Sequence, residues 1–186
     1  MTTPALCEAA TSQLVFIDIQ QRLVAAMPDA PREQTLHHAG LLADAARLLS
    51  IPLTHTEQYP AGLGNTDATL ATRLTDAAAI EKTCFSCAAV EDFKSRLASL
   101  HRHQVILCGM EAHVCVLQTA LQLQQLGYQV FVVADAVCSR QKRHFKNALA
   151  RLRQAGIIVT NAESVIFEWL RDATHPEFKA LARLVR

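Results

Sequence analysis

Residues 104–115 read Gln-Val-Ile-Leu-Cys-Gly-Met-Glu-Ala-His-Val-Cys (QVILCGMEAHVC). The first five, 104–108, form a run rich in β-branched and aliphatic residues, closed by Gly109; such a run reads as a buried strand. From 113 to 126 the apolar residues recur at helical spacing, and Gly127 ends the pattern as a C-cap glycine does. A second apolar run, 129–135, follows. Strand, helix and strand in this order describe a parallel crossover unit, and strands apolar on both sides belong in a sheet covered on both faces.

The same alternation extends in both directions. Toward the N-terminus, 13–18 (QLVFID) is an apolar run ending in an acid. Residues 32–49 carry apolar side chains at helical spacing. Residues 51–56 form a second short strand, 78–82 (AAIEK) a third, and 90–100 a helix with Val90, Phe93, Leu97 and Leu100 on one face. Toward the C-terminus, helix 141–154 ends at Gly156, strand 157–160 follows, and 163–172 and 176–185 read as closing helices, with Trp169 packing the first. The expected fold class is α/β, three layers (α/β/α), with a six-stranded, mainly parallel sheet. Residues 57–75 show no period and carry Pro60, Gly62 and Gly64, so they read as a surface loop or lid beside a site. With no repeat, low-complexity tract or linker, 1–186 reads as one domain.

The composition excludes several function classes. Apolar residues make up 51% and charged residues 19%, and the formal net charge is +1. Nothing there favours nucleic acid or an anionic membrane as a partner, and the one basic cluster, 140–146 (RQKRHFK), reads as the solvated start of a helix. No apolar run reaches the roughly 18–20 residues that span a bilayer, and 1–13 lacks the features of a signal or transit peptide. The expected location is therefore cytoplasmic. Of six cysteines, several sit in apolar runs as buried free thiols. Cys84 and Cys87 have C-x-x-C spacing but follow a late strand, without the companions a redox or zinc motif requires.

In an open parallel sheet, ligands bind beyond the carboxyl ends of the strands. The first strand ends in Asp18, the third in Lys82, and the turn after the fourth leads to Cys115 in the first turn of a helix. The fifth adds Asp135, with Ser139 and Arg140 beyond it. A helix N-terminus and a neighbouring ammonium both favour the thiolate, a carboxylate can take the thiol proton and return it to a leaving group, and N–H groups in the turn before Cys115 can hold an oxyanion. His113 lies two positions from Cys115, and helical residues two apart do not face each other, so it is not read as the base.

Three strings now carry a resemblance: 14–20 (LVFIDIQ), Glu81-Lys82-Thr83, and 106–115 (ILCGMEAHVC). In order and separation they resemble the isochorismatase-like cysteine hydrolases, the superfamily of nicotinamidases and N-carbamoylsarcosine amidases. The strings TEQYPAGLG (56–64), KTCFS (82–86), CGMEAHVC (108–115) and HPEFK (175–179) are similar to its branch of isochorismatase-domain-containing proteins. The resemblance implies strand order 3-2-1-4-5-6, a homo-oligomer of dimer size or larger, and a catalytic triad of Asp18, Lys82 and Cys115. It also implies a cis peptide at Met110–Glu111, with oxyanion donors at the N–H groups of Glu111 and Cys115. Gln20, Gln58, Tyr59, Glu111 and Arg140 are the candidate contacts to a small-molecule substrate.

Two departures shape the expectation. Nicotinamidases hold a metal with an Asp-x-His pair after the second strand, whereas here 54–59 reads THTEQY, so no metal and no cofactor is expected. Glu111 replaces a small residue; its carboxylate either pairs with Arg140 or reads a cationic substrate. Retention of Cys115 favours acyl chemistry over vinyl-ether cleavage. The expected activity is hydrolysis of a small amide or related C–N bond through a thioester. The alternatives are a catalytically silent binding module of the same fold and, last, a thiol-redox protein using Cys84 and Cys87.

Overall fold

The structure is a computed structural model and describes residues 6–74 and 78–185. In chain order the elements are β1 (Ser12–Ile17), α1 (Gln21–Ala26), α2 (Asp29–Leu48), β2 (Leu53–Gln58), α3 (Pro60–Leu63), α4 (Ala68–Ala71) and β3 (Ile80–Lys82). A short 3-10 turn (Cys87–Ala89) leads to α5 (Glu91–Ser99) and β4 (Gln104–Met110). A π-helical turn (Ala112–Val116) then runs into α6 (Leu117–Gln125). After it come β5 (Gln129–Cys138), α7 (Lys142–Gln154), β6 (Ile158–Thr160), α8 (Ala162–Leu170) and α9 (Phe178–Leu184).

The six strands form one sheet in the order β3-β2-β1-β4-β5-β6, and every pairing is parallel. The fold class and strand order are those expected. Side-chain alternation along each strand sorts the apolar runs into two cores. Leu14, Phe16, Ile106, Cys108, Phe131 and Val133 face α2 and α8. Val15, Ile17, Val105, Leu107, Val130 and Val132 face α5, α6 and α7. Each large side chain buried this way contributes about 1.5–3 kcal/mol, which is why a run without polar breaks is needed in the central strands. Trp169 sits in the first core and donates from Nε1 to Ser12 Oγ at 3.0 Å.

Boundaries differ where tertiary pairing extends an element. β2 continues through Gln58, because Thr56, Glu57 and Gln58 pair with Ile80, Glu81 and Lys82 of β3. The stretch expected as a loop or lid from residue 57 therefore begins inside the sheet. It then carries two short helices and is tied down: Gln20 Nε2 donates to Gly64 O at 2.6 Å, and Thr66 donates from N and Oγ1 to Glu57 Oε1 at 2.6 and 2.7 Å. Its last residue, Thr75, lies outside the described residues, as do 1–5 of the N-terminal segment and Arg186. The six-residue α1 had no sequence signal; only Val24 of it is buried.

β5 runs three residues beyond Asp135, through a register shift against β4. This corrects the placement of Asp135 at the strand end. It lies within the strand, accepts a hydrogen bond from Ala162 N at 2.9 Å and faces His38 of α2. Among the described residues no helix is long and apolar enough to cross a membrane.

Candidate active site

The carboxyl edge of the sheet gathers an acid, an ammonium and a thiol. Asp18 follows β1 directly with φ 51°, a left-handed turn that lifts its side chain out of the strand's alternation. It is fully buried. Thr56 Oγ1 donates to its Oδ1 at 2.7 Å and Lys82 Nζ to its Oδ2 at 2.6 Å. Lys82 ends β3 and reaches inward. Its ammonium also donates to Gln58 Oε1 at 2.6 Å, Phe85 O at 3.2 Å and Cys84 O at 3.3 Å. Burial works against that ammonium, but the Asp18 carboxylate it contacts outweighs burial and holds the group above its ordinary range.

Cys115 sits in the π-helical turn ahead of α6 and is 5% exposed. The thiol lies within the field of both charged partners. Burial pushes it well above its usual range, the Asp18 carboxylate pushes it further, and Lys82 works in the opposite direction. Its resting form is thus a protonated thiol beside a carboxylate. This reverses the expectation that the helix N-terminus and Lys82 would favour the thiolate, because burial and Asp18 exceed both. Cys87 belongs to the same neighbourhood. It is fully buried, lies 3.6 Å from Thr56 Oγ1, and is pushed up to about 11, first by burial and then by Asp18. A redox role needs exposed sulfurs, and Cys87 has none of the exposure.

The turn before Cys115 is shaped by two local features. The Met110–Glu111 peptide is cis, as the resemblance implied. Gly109 has φ +130°, and a Cβ there would run into the backbone of Ile17. Only glycine lets β4 pass this close to the end of β1.

The candidate substrate contacts separate by environment. Gln20 is fully buried and serves the scaffold: its Oε1 accepts from Gln58 N at 2.7 Å, and its Nε2 donates to Gln58 O and Gly64 O. Gln58 holds Lys82 through Oε1, and its Nε2 donates to Thr83 O at 2.6 Å. Neither keeps a free side-chain group for a ligand. Tyr59, 58% exposed, lines a cavity of about 650 Å³ with Pro60, Lys82, Thr83, Cys84 and Val90. Glu111 is paired with Arg140, which leaves it unsuited to reading a cationic substrate. His113 turns away from the acid: its Nδ1 lies 3.0 Å from Ser139 Oγ and its ring is 4.7 Å from that of His144. The roles of Thr56 and Gln58 were not legible in the sequence; their one signal is a place on the strand beside Asp18 and Lys82.

A parallel sheet in this order, with an acid, an ammonium and a thiol converging at its carboxyl edge, defines an isochorismatase-like α/β protein. The sequence model of the isochorismatase domain matches residues 12–164, and the chain belongs to the isochorismatase family. It is 38% identical over 180 residues to isochorismatase domain-containing protein 2A of Mus musculus, a match spanning 95% of this chain and 83% of the mouse protein. The structure of MAR1 ribonuclease from Caenorhabditis elegans is similar with a TM-score of 0.89 at 37% identity, covering 97% of this chain and 92% of that one. YcaC from Pseudomonas aeruginosa, solved with hexane-2,5-diol and covalent acrylamide, is similar with a TM-score of 0.89 at 25% identity, covering 100% and 98%.

Proposed function

We propose that this chain is a cysteine hydrolase that cleaves the C–N bond of a small amide or related molecule. One observation carries the reading: the buried Cys115 lies within the field of the Asp18 carboxylate, which is locked to the Lys82 ammonium at 2.6 Å. Because the resting sulfur is a thiol, attack is coupled to proton loss. As the S–C bond forms at the carbonyl carbon, Asp18 takes the thiol proton. The N–H groups of Glu111 and Cys115 stabilise the charge on the carbonyl oxygen. Collapse breaks the C–N bond, and Asp18 returns the proton to the departing amine. A thioester remains. Water attacks it while giving its proton to Asp18, the C–S bond breaks, Asp18 returns that proton to the sulfur, and the acid leaves with the thiol restored.

Lys82 touches Asp18 throughout and keeps its carboxylate aimed at the sulfur; Gln58 and the carbonyls of Cys84 and Phe85 hold Lys82 in turn. Covalent acrylamide on the Pseudomonas relative is in keeping with a nucleophile that adds to small electrophiles in that protein. The test is an unbiased amide and metabolite screen of the wild type against Cys115→Ala. RNA oligonucleotides join the panel because the nematode relative is called a ribonuclease. Hydrolysis of at least one amide is expected from the wild type, with a loss on the order of 10³-fold or more in the variant. Amide hydrolysis that survives in Cys115→Ala overturns the mechanism. A wild type that cleaves no amide leaves the silent binding module as the better reading.

A further inference from the structure

We propose that Glu111 and Arg140 form a positioning pair that fixes the oxyanion turn before Cys115, an inference that rests on the hydrolase reading above. Glu111 is 6% exposed, unusual for a carboxylate without a charged partner. Arg140 supplies that partner from the turn between β5 and α7. Its Nε lies 3.0 and 3.1 Å from the two carboxylate oxygens, its Nη2 lies 3.0 Å from Oε1, and its own backbone N–H donates to Oε2 at 2.9 Å. The grip is therefore a fork plus a main-chain bond, and it fixes direction as well as charge.

An exposed ion pair is ordinarily worth little. Here the carboxylate side chain is 7% exposed while the guanidinium is 61% exposed. The desolvated partner is thus the one carried on the oxyanion turn. Two residues on, His113 makes a second tie to the same segment, through Ser139 Oγ at 3.0 Å and the His144 ring. Neither tie reaches the sulfur. Both stitch residues 111–113, the segment that begins at the donor N–H of Glu111, to residues 139–144.

The test needs no substrate, because two small reagents read different parts of the site. With acrylamide, the sulfur bonds to the β-carbon, the C=C bond opens, and the electron pair moves onto the carbonyl oxygen as an enolate. The thiol proton passes through Asp18 to the α-carbon. With iodoacetamide, the thiolate reacts, its proton already lost to solvent; the S–C bond forms as the C–I bond breaks, iodide leaves, and no charge develops on oxygen. The ratio of the two rates at Cys115, followed by peptide mass spectrometry, reports the oxyanion donors separately from thiol reactivity.

In Glu111→Gln and Arg140→Gln the ratio is expected to fall by about tenfold or more, a fraction of the ~10²–10³ that follows complete loss of a donor. Arg140→Lys keeps the charge without the fork and is expected to fall several-fold; it stands in if Arg140→Gln does not fold, as judged by circular dichroism. A ratio within about twofold of wild type in the folded variants overturns the positioning role. A wild-type Cys115 that takes up neither reagent overturns the hydrolase reading itself, a separate and recognisable failure.

Discussion

Replacing Asp18 with Asn separates the two things its carboxylate does to the sulfur. In the wild type it raises the thiol and stands ready to take its proton; Asn does neither. A unit charge about 4 Å away, at an effective dielectric of about 20, is worth ~4 kcal/mol, or roughly a thousandfold in thiolate population. A sulfur that ionises more readily is also less nucleophilic, with a Brønsted coefficient of about 0.4–0.5. That returns roughly 20-fold of the gain and leaves a net increase of about 50-fold. The Lys82 ammonium strengthens the outcome: stripped of Asp18, it is a buried cation whose field favours the thiolate forms of the neighbouring Cys115 and Cys87. Iodoacetamide should therefore label Cys115 of Asp18→Asn about 50-fold faster than wild type at pH 7. Hydrolysis should fall by ~10²–10⁴ through loss of the base. Stability also drops, because Asn offers one acceptor to two donors, Lys82 Nζ and Thr56 Oγ1. Removing one partner of a buried ion pair costs about 3–5 kcal/mol. Slower labelling of a folded Asp18→Asn protein would refute the idea that the carboxylate is what keeps the sulfur protonated.

Three further outcomes are expected. In the wild type the Cys115 thiol is raised above its ordinary range, so the protonated form persists through neutral pH and thiolate accumulates only as pH climbs; iodoacetamide labelling of Cys115 should keep rising through pH 9.5, and a plateau below pH 8 contradicts the shift. Gly109→Ala places a Cβ against the Ile17 backbone at φ +130° and should cost about 3 kcal/mol or more in urea unfolding; a loss under about 1 kcal/mol would mean that β1 and β4 can separate there. The resemblance implies an oligomer, and Tyr59 and Phe85 leave aromatic rings exposed beside the site; light scattering should give a mass at least twice 20.4 kDa, and a monomer at micromolar concentration refutes it.

The fold was legible because the central strands carry no polar interruptions. Runs such as 104–108 and 129–133, alternating with helices, belong in a parallel sheet covered on both faces, and that sheet fixes where a ligand-binding rim must be. Asp18, Lys82 and Cys115 could then be picked out as the reactive side chains leaving strand ends. What escaped depended on contacts between distant segments. Asp135 was placed on the rim because the apolar run stops there; the strand continues past it through a register shift that β4 imposes. The string 14–20 and the loop position make Gln20 and Gln58 candidate substrate contacts, yet their amides are consumed by each other's residues, by Gly64, by Thr83 and by Lys82. The direction of the Cys115 shift was missed for a different reason: helix position and a neighbouring lysine are visible in sequence, whereas depth of burial is not.

The two glutamines owe their roles to the strand that carries Lys82. β3 has three residues, lies at the edge of the sheet and pairs only with 56–58 of β2. So short an edge strand is a poor anchor for a group that must hold a buried charge in place. The anchoring comes instead from side chains on β2 and from Gln20, just past the end of β1. Gln20 grips both the N–H and the C=O of Gln58. Gln58 in turn holds the ammonium and the carbonyl of Thr83. Thr56, on the same strand, fixes the other oxygen of Asp18. Apart from the Gln20 bond to Gly64 O, the hydrogen bonds of the two glutamine amides serve to keep 2.6 Å between Lys82 and Asp18. The polar residues of β2 that interrupt its β-pattern in the sequence, Thr56 and Gln58, are the ones that let a marginal edge strand present a rigid ion pair to the sulfur.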